Sequence, residues 1–259
     1  MDITYIGYSD EIIKIILNNS KIALKKVITS IKKLQDDTLK LLNEKGINCS
    51  YVANKQDIYN ITEQIKTTYV LIYKFAYIIP KNIIDQFIFF NIHPGDLLTN
   101  RGAHPIRWSI LNGDRETKLT LYKISGIDEG FVIGEVKINI LEEDNYITID
   151  RRMNENLNKL IEKLIYYDSN KPYPLIQEGK YNRKVEEKDY CINLKTDDYF
   201  FIKRKINSVI DFGGAVICLD NKKYRVSSVS YQRQEENTIK VETCMNENII
   251  LTIENFEWR

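Results

Sequence analysis

The chain has 259 residues, 43% of them hydrophobic, enough for an ordinary core in one or two domains. Its 37 basic and 36 acidic residues nearly cancel, so no global field draws it toward nucleic acid or an anionic membrane. Four cysteines without CxxC spacing and only two histidines leave no zinc pattern; the cysteines read as reduced, partly buried thiols of a cytoplasmic protein.

The first half alternates short β runs with amphipathic segments. The chain enters a strand at residues 3–7 without the basic and apolar regions of a signal peptide. Ile12, Ile13, Ile15, Ile16 and Leu17 give residues 10–18 an apolar helical face, and a second β run spans 25–30. Residues 35–45 are helical with Gly46 as the stop, 49–52 form a strand, and 56–66 a helix. Residues 69–73 are almost wholly apolar, as expected of a parallel strand covered on both faces. The apolar run 69–80 is too short to span a bilayer and contains Lys74. A short helix at 80–86 and a strand at 88–92 follow.

This βαβαβα order implies a parallel sheet with helices on both sides. The first β–α turn, Gly7-Tyr8-Ser9-Asp10, lacks the G-x-G-x-x-G that brings backbone against a pyrophosphate, and no Walker A sequence occurs. Further on, 106–111 fits a helix ending near Asn112-Gly113, 119–124 and 131–140 alternate as strands, and 154–167 is an amphipathic helix. Residues 168–189 are polar, with Pro172, Pro174 and Gly179, and read as a linker or exposed loop. Strands follow at 215–219, 223–231, 238–244 and 249–253, with turns at Asp220-Asn221 and Asn246-Glu247-Asn248. The expectation is an α/β protein: a Rossmann-like, mostly parallel sheet over 1–168, a linker at 169–189, and a small, mainly antiparallel β-rich module over 190–259.

Both histidines fall within residues 91–105. Histidine changes charge near neutral pH, and Asn91 and His93 share a face of an extended segment because side chains alternate along a strand. Three motifs then appear in order: Asn91-Ile92-His93-Pro94; Arg101-Gly102-Ala103-His104-Pro105; and Ile110-Leu111-Asn112-Gly113 followed by Gly126-Ile127-Asp128-Glu129-Gly130. Together they resemble the 10-formyltetrahydrofolate-dependent formyltransferases over roughly residues 68–140, and more loosely over the preceding βα units.

The resemblance implies a catalytic trio of Asn91, His93 and Asp128, with one residue fewer in the Ile124-Ser125-Gly126 loop than many relatives carry. Asn91 and a protonated His93 are suited to donate hydrogen bonds to an oxyanion. Asp128 is suited to hold the imidazole and relay a proton from an attacking amine. The implied co-substrate, N10-formyltetrahydrofolate, would lie against Phe75, Tyr77, Ile79, Ile124 and Gly126. Tyr8, Ser9 and Lys74, at the carboxyl ends of the strands, are the candidate acceptor contacts. Lys74 reads either as a snorkelling surface residue or as a contact to a substrate phosphate. His104 reads either as lining the site or as filling a turn, and Arg101 as pinning its loop.

Length, charge balance and a compact C-terminal extension resemble most the enzymes that formylate nucleotide-linked amino sugars. The implied acceptor is a deoxy amino sugar on a nucleotide such as dTDP, with no metal, nucleic-acid or membrane partner, in a homodimer formed through the C-terminal module. The alternatives are a methionyl-tRNA formyltransferase-like enzyme and an inactive relative that binds a nucleotide sugar.

Overall fold

The computed structural model describes residues 1–30, 34–232 and 237–255. They divide into two units: Met1–Arg101, Lys118–Lys137 and Met153–Lys180 form unit 1, and Gly102–Thr117, Ile138–Arg152 and Tyr181–Arg259 form unit 2. Neither unit is a continuous stretch of chain.

Unit 1 is built on β1 (Asp2–Gly7), β2 (Ala23–Ser30), β3 (Cys49–Val52), β4 (Tyr69–Tyr73) and β5 (Ile88–His93), all parallel, in the order β3-β2-β1-β4-β5. The chain winds outward from β1 to β3 and then returns to β4 on the other side. That reversal makes the carboxyl ends of β1, β4 and β5 the natural place for a crevice. Val70, Leu71, Ile72 and Tyr73 are all buried, which is why β4 reads as an unbroken apolar run. Tyr5 ties the carboxyl ends of the central strands together: its hydroxyl donates to the Tyr73 carbonyl at 3.0 Å and accepts the Ser9 N–H at 2.9 Å.

Helices α1 (Asp10–Leu17), α2 (Asp36–Glu44), α3 (Ile61–Gln64) and α4 (Lys81–Ile84) connect these strands. The Ser9 side chain caps α1 by accepting the Ile12 N–H at 3.4 Å, and Asp10 and Glu11 place negative charge on its first turn. The helix expected at 56–66 is a 3₁₀ turn, Gln56–Asn60, followed by the single turn of α3.

Past the two-residue β6 (Arg101–Gly102) and α5 (Pro105–Asn112), the sheet is extended by β7 (Glu116–Gly126), antiparallel to β5, and then by its hairpin partner β8 (Glu129–Asn139). The helix expected at 154–167 is two: α6 (Tyr146–Glu155) and α7 (Leu157–Ile165), broken at Asn156. Asn disfavours helix interiors because its side chain competes for backbone hydrogen bonds. Leu157, Leu160, Ile161 and Leu164 are the buried face of α7. Residues 168–189, expected as a linker, hold β9 (Leu175–Ile176), which pairs antiparallel with β8 at the edge of the sheet. A proline precedes β9, as sheet edges tolerate.

Unit 2 contains β10 (Tyr181–Asn182), α8 (Glu187–Tyr190), β11 (Cys191–Ile192), α9 (Tyr199–Ser208), β12 (Ala215–Leu219), β13 (Lys222–Ser230), β14 (Thr238–Glu242) and β15 (Asn248–Asn255). Its sheet runs β11-β12-β13-β15-β14 and is antiparallel apart from the β11–β12 pair. Asp220 and Asn221, both with positive φ (49° and 61°), make the two-residue turn between β12 and β13. The buried Arg107 of α5 sits in this unit, 2.7 Å from each carboxylate oxygen of Asp211 and between the rings of Tyr146 and Phe212. Cys49 and Cys191 are half-buried as expected, whereas Cys218 and Cys244 are exposed; all four are free. No helix among the described residues is long and apolar enough to cross a membrane.

The β7–β8 hairpin closes tightly because Gly130 has no side chain: a Cβ there would lie 1.9 Å from the Lys123 carbonyl oxygen. Gly130→Ala is expected to cost about 1–3 kcal/mol, the usual cost of forcing atoms into filled space, seen as a lowered midpoint in denaturant unfolding.

Candidate active site

Asn91 and His93 are the fourth and last residues of β5, at its carboxyl end. The antiparallel register of β7 sets Tyr122 directly opposite Asn91 and Thr120 opposite His93. Asp128 lies in the turn between β7 and β8 with φ 49°, a left-handed conformation that Asp tolerates better than most residues. Neighbouring strands and one hairpin turn thus bring the three candidate catalytic residues together.

His93 is 4% exposed. The loop after it folds back so that the Asn100 carbonyl lies 2.8 Å from its Nε2. A carbonyl oxygen only accepts, so Nε2 carries the proton. Nδ1 stands 3.9 Å from Asp128 Oδ1, an ion-pair distance rather than a hydrogen bond. The loop is held by Lys118, which reaches Asp96 at 3.1 Å, by the Leu98 N–H to Asp96 Oδ1 at 2.9 Å, and by the Thr120 hydroxyl, which donates to the Gly95 carbonyl at 3.0 Å.

Tyr122, which belongs to none of the motifs, links the rest. Its hydroxyl accepts from Asn91 Nδ2 at 2.9 Å and donates to Asp128 Oδ1 at 3.2 Å. Burial, reinforced by the Asp128 charge, pushes this phenol well above the usual tyrosine range. The only sequence signal for it was its place two residues after Thr120 in a strand that alternates polar and apolar residues. Arg101, expected to pin its own loop, instead holds the turn that bears Asp128: its guanidinium donates to the Ile127 carbonyl at 2.9 Å, to Glu129 at 3.0 Å and to the Gln177 carbonyl at 2.9 Å. One planar fork thereby fixes the residues on both sides of Asp128.

Four of the five residues expected against the folate share one apolar neighbourhood. Phe75, Tyr77, Ile79 and Ile124 belong to one apolar cluster of unit 1; Phe75 and Tyr77 meet edge-on at 5.6 Å, and the Tyr77 hydroxyl donates to the Ala53 carbonyl at 3.1 Å. Phe75 and Tyr77 are only half-buried, so a ring face or edge of each is left to cover a flat apolar ligand. Gly126 closes β7, and a Cβ there would lie 2.7 Å from Glu129 Oε2.

Among the candidate acceptor contacts, Tyr8 and Lys74 follow directly on β1 and β4 and are half-buried, Lys74 with φ 51° and its ammonium 5.5 Å from the Tyr73 ring centroid. The hydroxyl of Ser9 is engaged with the α1 cap and with Glu11 at 3.0 Å, and Ser9 is only 3% exposed. His104 lies in unit 2, in left-handed conformation (φ 58°) before α5, and its Nδ1 accepts the Val185 N–H at 3.3 Å.

The formyl transferase family model matches residues 11–165, more than half of the chain. The chain belongs to the formyl transferase family. It is 25% identical over 195 residues to a methionyl-tRNA formyltransferase of Rickettsia bellii, a match covering 73% of this chain and 64% of that one, so the chain spans less than two thirds of that relative's length. Two solved structures share the fold over nearly the whole length. A methionyl-tRNA formyltransferase from Clostridium thermocellum superposes with a TM-score of 0.67 at 20% identity, covering 100% of both chains. WlaRD, a sugar 3N-formyl transferase solved in the presence of dTDP and 5-N-formyl-THF, superposes with a TM-score of 0.68 at 18% identity, covering 99% of both.

Burial, and next the charges of Arg107 and Lys184, hold His104 below the usual histidine range, with Asp211 opposing. Protonation would also remove the acceptor for Val185. The folded protein therefore binds this proton less readily than the unfolded chain. The contribution of His104 to stability is full above about pH 6.5 and shrinks as the solution is acidified below it. His104→Asn is expected to flatten that acid decline, measured by urea unfolding at pH 7.5 and 5.5.

Proposed function

We propose that the chain transfers the formyl group of N10-formyltetrahydrofolate to the amino group of a nucleotide-linked deoxy amino sugar, with a dTDP sugar as the first candidate. The observation that carries the reaction is the convergence, in a member of this family, of Asn91, His93 and Asp128 at the carboxyl end of β5. The amine attacks the formyl carbon, forming the new C–N bond and an oxyanion. The amide of Asn91 has two N–H groups; one is held by Tyr122, and the other is suited to the oxyanion, together with a protonated His93. Asp128 takes the proton the amine loses. Collapse re-forms the carbonyl and breaks the bond to N10, which takes up the proton returned by the Asp128–His93 pair as tetrahydrofolate leaves and the formamide is formed. Phe75, Tyr77, Ile79, Ile124 and Gly126 form the wall for the pterin, and Tyr8 and Lys74 flank the acceptor.

The sugar acceptor is favoured by the likeness to WlaRD and by the ion pairs of four basic residues of unit 2. Lys203 pairs with Glu142 and Glu143, Lys205 with Asp197, Lys223 with Glu187, and Arg183 with Asp189. Cations already neutralised in this way contribute little to the counterion release that drives RNA binding. The tRNA reading draws on the curated relatives, and chain length does not separate the two, since the Clostridium thermocellum structure matches from end to end.

Incubation with 10-formyltetrahydrofolate and a panel of nucleotide amino sugars is expected to yield a product heavier by one formyl group. Turnover on methionyl-tRNA but on none of the sugars would overturn the acceptor. Asn91→Ala is expected to lower kcat by about 10²–10³, the usual cost of an oxyanion donor. The same reading joins two copies through the C-terminal module, where β14 presents the edge of its sheet. Light scattering is expected to give the mass of a dimer, and a monomer mass would remove that part.

A further inference from the structure

We propose that Tyr122 is a positioning residue for this reaction, its hydroxyl orienting Asn91 and Asp128 together. The inference rests on the formyl-transfer reading and deepens it. β7 alternates: Leu119 and Leu121 are buried on one face, and Thr120 and Tyr122, equally buried, share the other, which meets Asn91 and His93. A phenylalanine would fill the Tyr122 position equally well. The hydroxyl, on a side chain 1% exposed, is accounted for by two partners: the Asn91 amide at 2.9 Å and the Asp128 carboxylate at 3.2 Å.

The chemistry gives this chain one direction. Amide nitrogen only donates and an ionised carboxylate only accepts, so the hydroxyl accepts from Asn91 and gives its proton to Asp128. The first bond fixes the rotation of the Asn91 amide and therefore the line along which its second N–H points. The second bond anchors Asp128 Oδ1, which His93, at 3.9 Å, does not hold by a hydrogen bond. Donation to a charged acceptor makes the phenol oxygen a better acceptor in turn, so the two bonds strengthen each other. The phenol keeps its proton through the neutral range because burial disfavours phenolate. Tyr122 therefore acts through its neighbours and does not exchange protons with substrate.

The test is Tyr122→Phe, assayed by formyl transfer and by the side-chain amide signals of Asn91 in ¹H–¹⁵N spectra. Losing a hydrogen bond to a charged group predicts a fall in kcat of about 10- to 100-fold, with KM for donor and acceptor within about twofold. In an Asp128→Asn background the same substitution is expected to cost less than about 3-fold, because residues acting as a unit are not additive. The Asn91 amide signals are expected to shift and to exchange faster with water. An unchanged kcat, a loss confined to KM, or full additivity with Asp128→Asn would overturn the proposal, as would unmoved Asn91 signals. Tyr122→Met, a flexible apolar filler, answers the same questions if the phenylalanine variant does not fold. If the native protein transfers no formyl group, the functional reading fails, and the Asn91 spectrum still decides whether Tyr122 orients the amide.

Discussion

The site depends on one register, that of β7 running antiparallel against β5. This pairing places Tyr122 across from Asn91 and Thr120 across from His93, and both cross-strand neighbours are engaged: Tyr122 with Asn91 itself, and Thr120 with the Gly95 carbonyl of the loop that follows His93. A slip of one residue would carry every side chain of β7 to the opposite face. The parallel strands β1–β5 provide a rigid, buried platform, but the chemistry appears only where a strand of opposite direction joins it.

Around that pair the structure relies on acceptors that cannot reverse. The Asn100 carbonyl fixes the proton on Nε2 of His93, and the Asp128 carboxylate fixes the direction of the Tyr122 hydroxyl. Arg101 holds the Ile127 carbonyl and Glu129, so the turn bearing Asp128 is fixed from both sides. A site held by such fixed donors and acceptors spends little on reorganisation when charge develops in it.

The elements most legible in the sequence were those with a single dominant pattern. β4 was evident because a strand buried on both faces leaves an uninterrupted apolar run, and the candidate trio because three motifs fall in order. Tyr122 was hidden because a lone tyrosine beside Leu121 in an alternating strand looks like core. The Asn100 carbonyl was invisible because a backbone atom has no sequence signature. β9 was masked by its short length and by the prolines and charges around it, and the break at Asn156 by the apolar stripe continuing beyond it. The discontinuous make-up of the units was also out of reach, because it rests on pairs such as Arg107 and Asp211, 104 residues apart.

That last pair bears on how the molecule is made. Arg107 is only 4% exposed in the finished fold, and its carboxylate partner comes from a much later part of the chain. During synthesis its guanidinium must stay hydrated until Asp211 has emerged, since a buried, unpaired cation is costly. α5 therefore reaches its buried position only together with that later segment. A cut anywhere in residues 168–189 would leave the first fragment with an arginine shaped for burial and nothing to neutralise it. The polar stretch that resembles a boundary is consequently a poor place to divide this protein.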